Sequence, residues 1–302
     1  MHLLTYDRLA GVPFIFRSFT GLEVSEFDSV YEKVESRYEE FERKRLSRVN
    51  RERDIGAGHP FKLELRDRLL MLLTYYRLYV TSTMIGFLFD LDHSNVFRDM
   101  RMLEPMVREC IPIPQKMYQR AKRAGTPDEV EEYFPGFKAF IDATEQDIPR
   151  PKDKAKRKSH YSGKKRRHTV KTQLTVNTDG AIIHKTNHVR GRRHDYDIFK
   201  RNHPKLPKGV RPGTDLGYYG IQNDFPELNP ILPFKREKGK ELTEVQKRFN
   251  KELSKERVVV EHTIALVKKF KILGQVFRNR LRHYDLMTDI VSGLVNLRIA
   301  GI

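Results

Sequence analysis

The stretch Thr169-Val170-Lys171-Thr172-Gln173-Leu174-Thr175-Val176-Asn177-Thr178 alternates polar with apolar and β-branched residues, as a half-buried strand should. Asp179-Gly180 follows it, a dipeptide that favours a tight hairpin turn, and Ala181-Ile182-Ile183-His184-Lys185-Thr186-Asn187-His188-Val189 answers as the partner strand. That hairpin anchors a sheet. Upstream, the apolar run Phe137-Lys138-Ala139-Phe140-Ile141 ends in Asp142 and predicts a strand closing at that aspartate. Downstream, Asp195 to Lys200 opens a short helix and Gly213-Thr214-Asp215 forms another strand. Asn229 to Phe234 adds a short strand, Leu242 to about Leu273 reads as one long helix or a broken pair, and Tyr284 to Ile299 is a final amphipathic helix. Strand, hairpin, helix, strand and helix in that order imply an α/β fold, a mixed sheet flanked by helices.

The chain before this sheet is helical. Residues 22 to about 53 carry Phe27, Val30, Tyr31, Val34, Tyr38 and Phe41 at helical spacing among charges, and Gly56-Ala57-Gly58-His59-Pro60 breaks the pattern as a linker. From Leu63 to Tyr76 a core helix is expected. Thr81 then caps a short helix through Phe89, Asp90-Leu91 turns, and Asp92 or Ser94 caps a second helix from Asn95 to Leu103. Two short helices joined by a brief turn match a helix-turn-helix, with Ser94, Asn95 and Arg98 at the start of the recognition helix beside His93. An ordinary helical bundle is the plainer alternative. Pro112, Pro114, Pro127 and Pro135 punctuate the approach to the sheet. The expected limits are an N-terminal helical extension over 1–55, a helix-turn-helix domain over 60–125 and the α/β domain over 135–302.

Composition narrows the partner. The 302 residues hold 58 Lys and Arg against 40 Asp and Glu, a net charge of +18. An excess of that size favours a polyanion, because Lys and Arg release the counterions condensed on phosphates. The run from Arg150 to His168 concentrates the charge: Arg150, Lys152, Lys154, Lys156, Arg157, Lys158, Lys164, Lys165, Arg166 and Arg167 stand against Asp153 alone. Lying between two strands, it predicts a loop that grips phosphates. Cys110 is the single cysteine, which excludes an internal disulfide and a thiolate metal cluster and leaves it a small buried hydrophobe. No apolar run reaches the roughly 20 residues that span a bilayer, and the N-terminus lacks a secretory core, so a soluble cytoplasmic, nucleoid-associated protein is expected.

Three carboxylates sit where phosphodiester chemistry would want them. Asp142 and Asp215 end strands expected to be neighbours, and Glu261 lies in the helical stretch Arg257 to Lys268. Two Mg²⁺ ions, or Mn²⁺, roughly 3.5–4 Å apart can activate an oxygen nucleophile and neutralise the leaving oxygen, and hard cations want carboxylate oxygens. At about 100° per residue, Arg257, Glu261, Ile264 and Lys268 share one narrow arc, away from an apolar stripe of Val259, Val260, Leu266, Val267, Phe270 and Leu273. A solvated Arg257–Glu261 ion pair is the plain alternative. Glu145 and Asp147 read as a solvated loop or as outer support, and Asp195 as a helix cap. His184, His188 and His203 have no metal-ligand spacing.

The blocks Phe140-Ile141-Asp142, Tyr161-Ser162-Gly163-Lys164-Lys165, Thr214-Asp215-Leu216-Gly217-Tyr218-Tyr219-Gly220 and Arg257-x3-Glu261-x6-Lys268 resemble, in order, those of DDE-superfamily transposases of prokaryotic insertion sequences related to Harbinger elements. The likeness covers about residues 60 to 300. It implies an RNase H-like catalytic domain and an endonuclease using two Mg²⁺ or Mn²⁺ ions for strand cleavage and transfer at element ends. By position it makes Asp142, Asp215 and Glu261 catalytic metal ligands, and puts Arg257 and Lys268 on double-stranded DNA with the basic residues Lys164, Lys165, Arg166 and Arg167. It also implies a homodimer on DNA and no small-molecule organic cofactor. His194 and Asp195 resemble a pair common after the third strand of this family. Ser254 departs from the pattern, since related enzymes often carry Tyr there. The other readings are a transposase-derived DNA-binding protein without strand transfer and an RNase H-like nuclease.

Overall fold

A computed structural model of the chain describes residues 3–47 and 60–300. The glycine-rich linker and the end of the first charged stretch fall outside the described residues, apart from Pro60. Two compact units interleave along the chain. One takes residues 1–112, 269–272 and 286–302, the other residues 113–268 and 273–285.

The first unit is helical. Helices α1 (Tyr6–Ala10) and α2 (Pro13–Thr20) precede α3 (Val24–Leu46), which buries Phe27, Val30 and Val34 as its spacing requires. Helix α4 (Leu65–Leu78) is buried over most of its length. Thr81 caps α5 (Ser82–Phe89) by accepting from the Met84 amide at 3.2 Å. Asp90 makes the turn in the left-handed region at φ 51°, with Lys62 Nζ on its carbonyl and carboxylate at 2.6 and 2.8 Å. That contact lets a short polar side chain hold a conformation usually left to glycine. Asp92 rather than Ser94 caps α6 (His93–Cys110), accepting from the Ser94 amide at 2.8 Å. The helix runs through Pro105 to Cys110, beyond the expected end at Leu103. Cys110 is only half-buried; its thiol donates to the Lys33 carbonyl at 3.3 Å.

Arg68 of α4 ties this unit together. Its side chain is 2% exposed, its Nε donates to Asp99 Oδ1 at 2.7 Å and its Nη1 to the Tyr38 hydroxyl at 2.7 Å. The guanidinium also lies 3.6 Å from the centre of the Phe61 ring. Burial raises the Asp99 carboxyl above the usual range, and the guanidinium opposes that rise. From the chain's far end, α14 (Tyr284–Ala300) contributes Asp289, which accepts from Arg108 Nε at 2.9 Å, and Asn296, which donates to the Pro112 carbonyl at 3.0 Å.

The second unit carries the sheet. Prolines expected to punctuate its approach start helices instead: α7 (Pro114–Ala121), α8 (Pro127–Tyr133) and a 3-10 turn at Pro135–Phe137. A missing N–H costs nothing in a first helical turn. Strand β1 (Lys138–Asp147) is central. It buries Ala139, Phe140 and Ile141 on both faces and opens at Asp142, so the apolar run ends there although the strand does not. The basic segment is no loop. It folds into α9 (Lys154–His160) and β2 (Tyr161–Ser162), and a turn leads into β3 (Arg167–Asn177).

Strand β3 runs antiparallel to β1, with Asp142 opposite Leu174, and carries β2 at its start. The Asp179-Gly180 hairpin forms as read. Gly180 adopts φ 94°, and Asn177 Oδ1 accepts from the Asp179 and Ala181 amides. The partner strand splits into β4 (Ile182–Lys185) and β5 (Val189–Arg190), both on β3. After α10 (Asp195–Asn202), β6 (Arg211–Gly213) joins β1 in parallel, and Ile231 adds one parallel bridge outside it. A 3-10 turn at Leu216–Tyr218 and α11 (Ile221–Asp224) follow β6. The long helix is a broken pair, α12 (Glu244–Lys269) and α13 (Lys271–Gly274). A strand antiparallel on one side of β1 and parallel on the other is the mixed sheet expected of an RNase H-like fold. Among the described residues no helix is long and apolar enough to cross a membrane.

Two stability outcomes follow from buried polar groups. Arg68→Met should cost about 3–5 kcal/mol in urea unfolding, because it strands the Asp99 charge, and Arg68→Met with Asp99→Leu should recover most of that loss. His184 of β4 sits edge-on to Tyr118 at 4.9 Å between ring centres, and burial, then Lys185 and His203, push its pKa down from 6.5 to about 4. The unfolded chain therefore takes up a proton first. Its contribution is complete above pH 6.5 and is lost as pH falls toward 4, by about 2 kcal/mol after allowance for the part of the ring that meets solvent. Unfolding free energies at pH 7.5 and 4.5 should show a flatter profile for His184→Gln than for the native chain.

Candidate active site

Asp142 and Asp215 come together through the β1–β6 register. Lys138, Ala139 and Phe140 pair with Arg211, Pro212 and Gly213, and each aspartate lies two residues past the last pair. Both therefore fall on the same side of the pleat. Asp215 stands just beyond β6 as the cap of the 3-10 turn, its Oδ1 accepting from the Gly217 amide at 2.8 Å. A Cβ on residue 217 would lie 2.9 Å from that same oxygen, so the close approach accounts for the glycine. Asp142 Oδ1 accepts from the Ala143 amide at 2.7 Å. Each aspartate thus spends one oxygen on backbone.

Glu261 arrives on α12. The buried stripe of that helix is Leu253, Val260, Thr263 and Val267, and Phe270 and Leu273 beyond the helix are buried too, while Val259 and Leu266 are only half-buried. On the opposite arc Glu261 is exposed, and Arg257, Ile264 and Lys268 are half-buried. Glu261, Ile264 and Lys268 line a cavity of about 220 Å³ together with Asp142, Glu145, Lys164 and Lys165. No Arg257–Glu261 ion pair forms among the described residues, and Arg257 Nε is shut from solvent without an acceptor.

The charges here are strained against one another. Burial, and after it the negative charge of Asp215 and Asp195, pushes the Asp142 carboxyl up to about 6, while the Ala143 amide and Arg257 pull it down. Lys268 is lowered below the ordinary lysine range by burial and by the neighbouring Lys165, with Glu145, Asp142 and Asp147 opposing. A cation beside Asp142 would relieve the first strain, and a polyanion beside Lys268 the second. Among the described residues no three His, Cys, Asp or Glu side chains form a group that could by itself hold a metal ion. Like charges drawn to ligand distance repel unless a cation lies between them. The donor set is still of the right kind, hard carboxylate oxygens on two adjacent strands and a facing helix.

The basic residues divide. Lys164 and Lys165 reach the cavity from the β2–β3 turn. Arg166 occupies the left-handed region of that turn at φ 52°, and Arg167 pairs with Asp147 at 2.8 Å. Ser94, Asn95 and Arg98 belong to the helical unit, where all three are exposed on the first turns of α6 and Arg98 Nη1 donates to Asn95 Oδ1 at 2.8 Å. Glu145 lines the cavity and accepts from Thr169 Oγ1 at 2.5 Å.

Nothing in the sequence marks Lys171, and Asp195 reads there as a helix cap or, with His194, as the pair that the family resemblance implies. His194 holds the cap position of α10, while Asp195 Oδ1 accepts from Lys171 Nζ at 2.9 Å, and both line the cavity. Lys171 reads in the sequence only as a polar position of an alternating strand. Tyr218, from the aromatic block after Asp215, is buried with its hydroxyl accepting from Gln173 Nε2 at 2.8 Å. Burial and then the Asp142 charge raise its phenol well above the ordinary range.

Residues 141–296 match the family model described as DDE superfamily endonuclease, and residues 61–112 the model of the helix-turn-helix of DDE superfamily endonuclease. Over 243 residues the chain is 33% identical to a protein of Microchaete diplosiphon named "Probable transposase for insertion sequence element IS702", covering 80% of this chain and 84% of that relative. No solved structure matches the chain.

Proposed function

This chain belongs to the DDE-superfamily transposases of insertion sequences, and on that premise we propose that it binds terminal inverted repeats and catalyses metal-dependent strand cleavage followed by strand transfer. The observation that carries the reading is the β1–β6 register that brings Asp215 close enough to Asp142 to raise its carboxyl. Glu261 lines one cavity with Asp142, outside whose lining Asp215 lies. Residues 60–112 serve as the helix-turn-helix domain rather than 60–125, since residues 113–125 fold with the sheet. The catalytic domain starts near residue 135 but yields residues 286–302 to the helical unit.

Asp142, Asp215 and Glu261 would hold Mg²⁺ or Mn²⁺, two ions in the full site. When bound, such ions supply a deprotonated oxygen nucleophile and neutralise charge on the leaving oxygen. The chain's own residues do the rest. Arg257 favours the ionised form of Asp142, which burial disfavours. Lys268, Lys164 and Lys165 answer the phosphates flanking the scissile bond, and Arg166 and Arg167 extend that basic surface. Ser94, Asn95 and Arg98 stand where a recognition helix reaches base edges. Two ends held for transfer favour a homodimer on DNA. The chain acts at the nucleoid, in the cytoplasm, with no organic cofactor.

Asp215→Asn should reduce Mn²⁺-dependent cleavage of repeat-ended DNA at least about a thousandfold, since it removes several kcal/mol of charge stabilisation. Repeat binding measured by gel shift should stay within about twofold. Unchanged cleavage would sink the assignment, and repeat binding by the native chain with no metal-dependent nicking would favour a protein that only binds. Arg98→Ala should weaken repeat binding by about 1–3 kcal/mol and relax the preference for repeat over unrelated duplex, as read by competition anisotropy. An equal loss on both duplexes would reduce Arg98 to a phosphate contact.

A further inference from the structure

Beside the carboxylate cavity lies a second, larger one of about 1050 Å³, between α9, the β2–β3 turn and the loop from β5 to α10. Arg150, Lys154, Arg157, Lys158, Arg192 and Arg193 line it. Among the described residues none of these six pairs with a carboxylate, and the one acidic side chain in the lining, Asp195, is taken by Lys171. Arg157 Nε is shut from solvent with no acceptor. Six cations gathered without counter-charge repel one another, and an arrangement held against that repulsion suits an anion with several charges in a row.

The gathering is built into the backbone. Gly191 follows β5 so closely packed that a Cβ there would lie 1.9 Å from Thr169 Oγ1 and 3.0 Å from the His160 carbonyl. Its amide donates to the Thr169 carbonyl at 3.0 Å, the Arg192 amide to the Ser159 carbonyl at 3.3 Å, and Lys171 Nζ to the Arg193 carbonyl at 2.9 Å. The Arg192-Arg193 pair is thereby fixed against the end of α9.

One feature does not suit a duplex. Tyr161, 44% exposed, lies in the same lining edge-on to His168 at 5.6 Å between ring centres. Paired bases are stacked on each other and offer no face to such a ring, whereas an unpaired base does. Lys164, Lys171 and Asp195 line both this cavity and the one holding Asp142 and Glu261, so the two adjoin across a shared wall.

We propose that this trough binds single-stranded DNA adjoining the scissile phosphate, with Arg192, Arg193 and Arg157 on successive phosphates and Tyr161 stacked on an unpaired base. The proposal rests on the cavity at Asp142 being the cleavage site. It makes Arg192, Arg193 and Tyr161 positioning residues.

The test is binding of a fluorescent single-stranded oligonucleotide of about 12 nucleotides to the full chain in EDTA, where no cleavage intervenes. Arg192→Ala with Arg193→Ala should weaken binding about tenfold and lower the slope of log affinity against log salt by about 1.4, two phosphate contacts at about 0.7 each. Tyr161→Ala should weaken it about tenfold with the slope unchanged, and Tyr161→Phe should bind as the native chain does. Affinity for repeat duplex should move less than about twofold in all of them. Unchanged single-strand affinity and slope in the double arginine variant overturns the proposal. So does a loss that is equal on duplex, or a Tyr161→Phe loss as large as that of Tyr161→Ala. Because no catalysis is read, trough variants that behave as stated while Asp215→Asn still cleaves would leave the trough standing and remove the cleavage assignment.

Discussion

Everything at the site depends on the parallel pairing of β1 with β6. Three residue pairs set it, and Ile231 braces β6 from outside, its amide on the Pro212 carbonyl at 2.8 Å and its carbonyl accepting from the Thr214 amide at 3.2 Å. Side chains alternate along a strand, so a slip of one residue would send Asp215 to the face opposite Asp142. The apolar residues guard against that slip. Ala139, Phe140 and Ile141 are buried on both faces of β1, and the Phe140 ring lies so close to Gly213 that a Cβ there would be 2.7 Å from it. Core packing at residues 139–141 therefore decides where the carboxylate of residue 142 meets its partner 73 positions away.

Electrostatics at the site are unfavourable in two separate ways, and the two have complementary remedies. Asp142 shares its surroundings with Asp215 and Asp195, which raise its carboxyl along with burial. Lys268 shares its own with Lys165, which lowers it along with burial. Each group of like charges offsets the other only in part: Arg257 lowers the Asp142 carboxyl, and Glu145, Asp142 and Asp147 raise Lys268, yet both groups stay shifted. Cations would satisfy the carboxylates, and phosphates would satisfy the lysines. Carboxylates and lysines lining one cavity, each group shifted by its like neighbours, leave room for a cation and an anion side by side.

The sequence was legible where one local pattern sufficed. The Asp179-Gly180 turn, the phasing of Glu261 with Lys268 and the helix pair around Asp90 appear as read. Strand β3 forms where its alternation places it, but its polar positions Thr172, Gln173, Thr175 and Asn177 are buried too, so the strand is covered on both faces and not half-buried. The sequence was misleading where an apolar run was equated with a strand. Beyond Asp142 the strand continues for five residues on backbone pairing with β3, its side chains half-buried apart from the buried Gln146, and no hydrophobic period marks it. The basic segment hid α9 and β2 for a related reason: its helix stands mostly in solvent, capped by Asp153, and leaves no apolar stripe. Lys171 was out of reach because its meeting with Asp195 is a contact between a strand and a helix 24 positions on, which no local spacing encodes.

The third carboxylate shows how far a local feature can act. Glu261 sits two residues before Thr263, a buried polar side chain that the apolar stripe of α12 did not include. Its hydroxyl donates to the Gly180 carbonyl at 2.9 Å, so the helix is fastened to the hairpin turn itself. A buried hydroxyl without that acceptor would be costly, by roughly 1–3 kcal/mol, which sets the depth and rotation of the helix more sharply than methyl packing could. Rotating α12 enough to release Thr263 would swing Glu261, and Lys268 with it, away from the cavity they share with Asp142. The Asp179-Gly180 turn, which in the sequence only announces a hairpin, thus also fixes the position from which Glu261 faces Asp142.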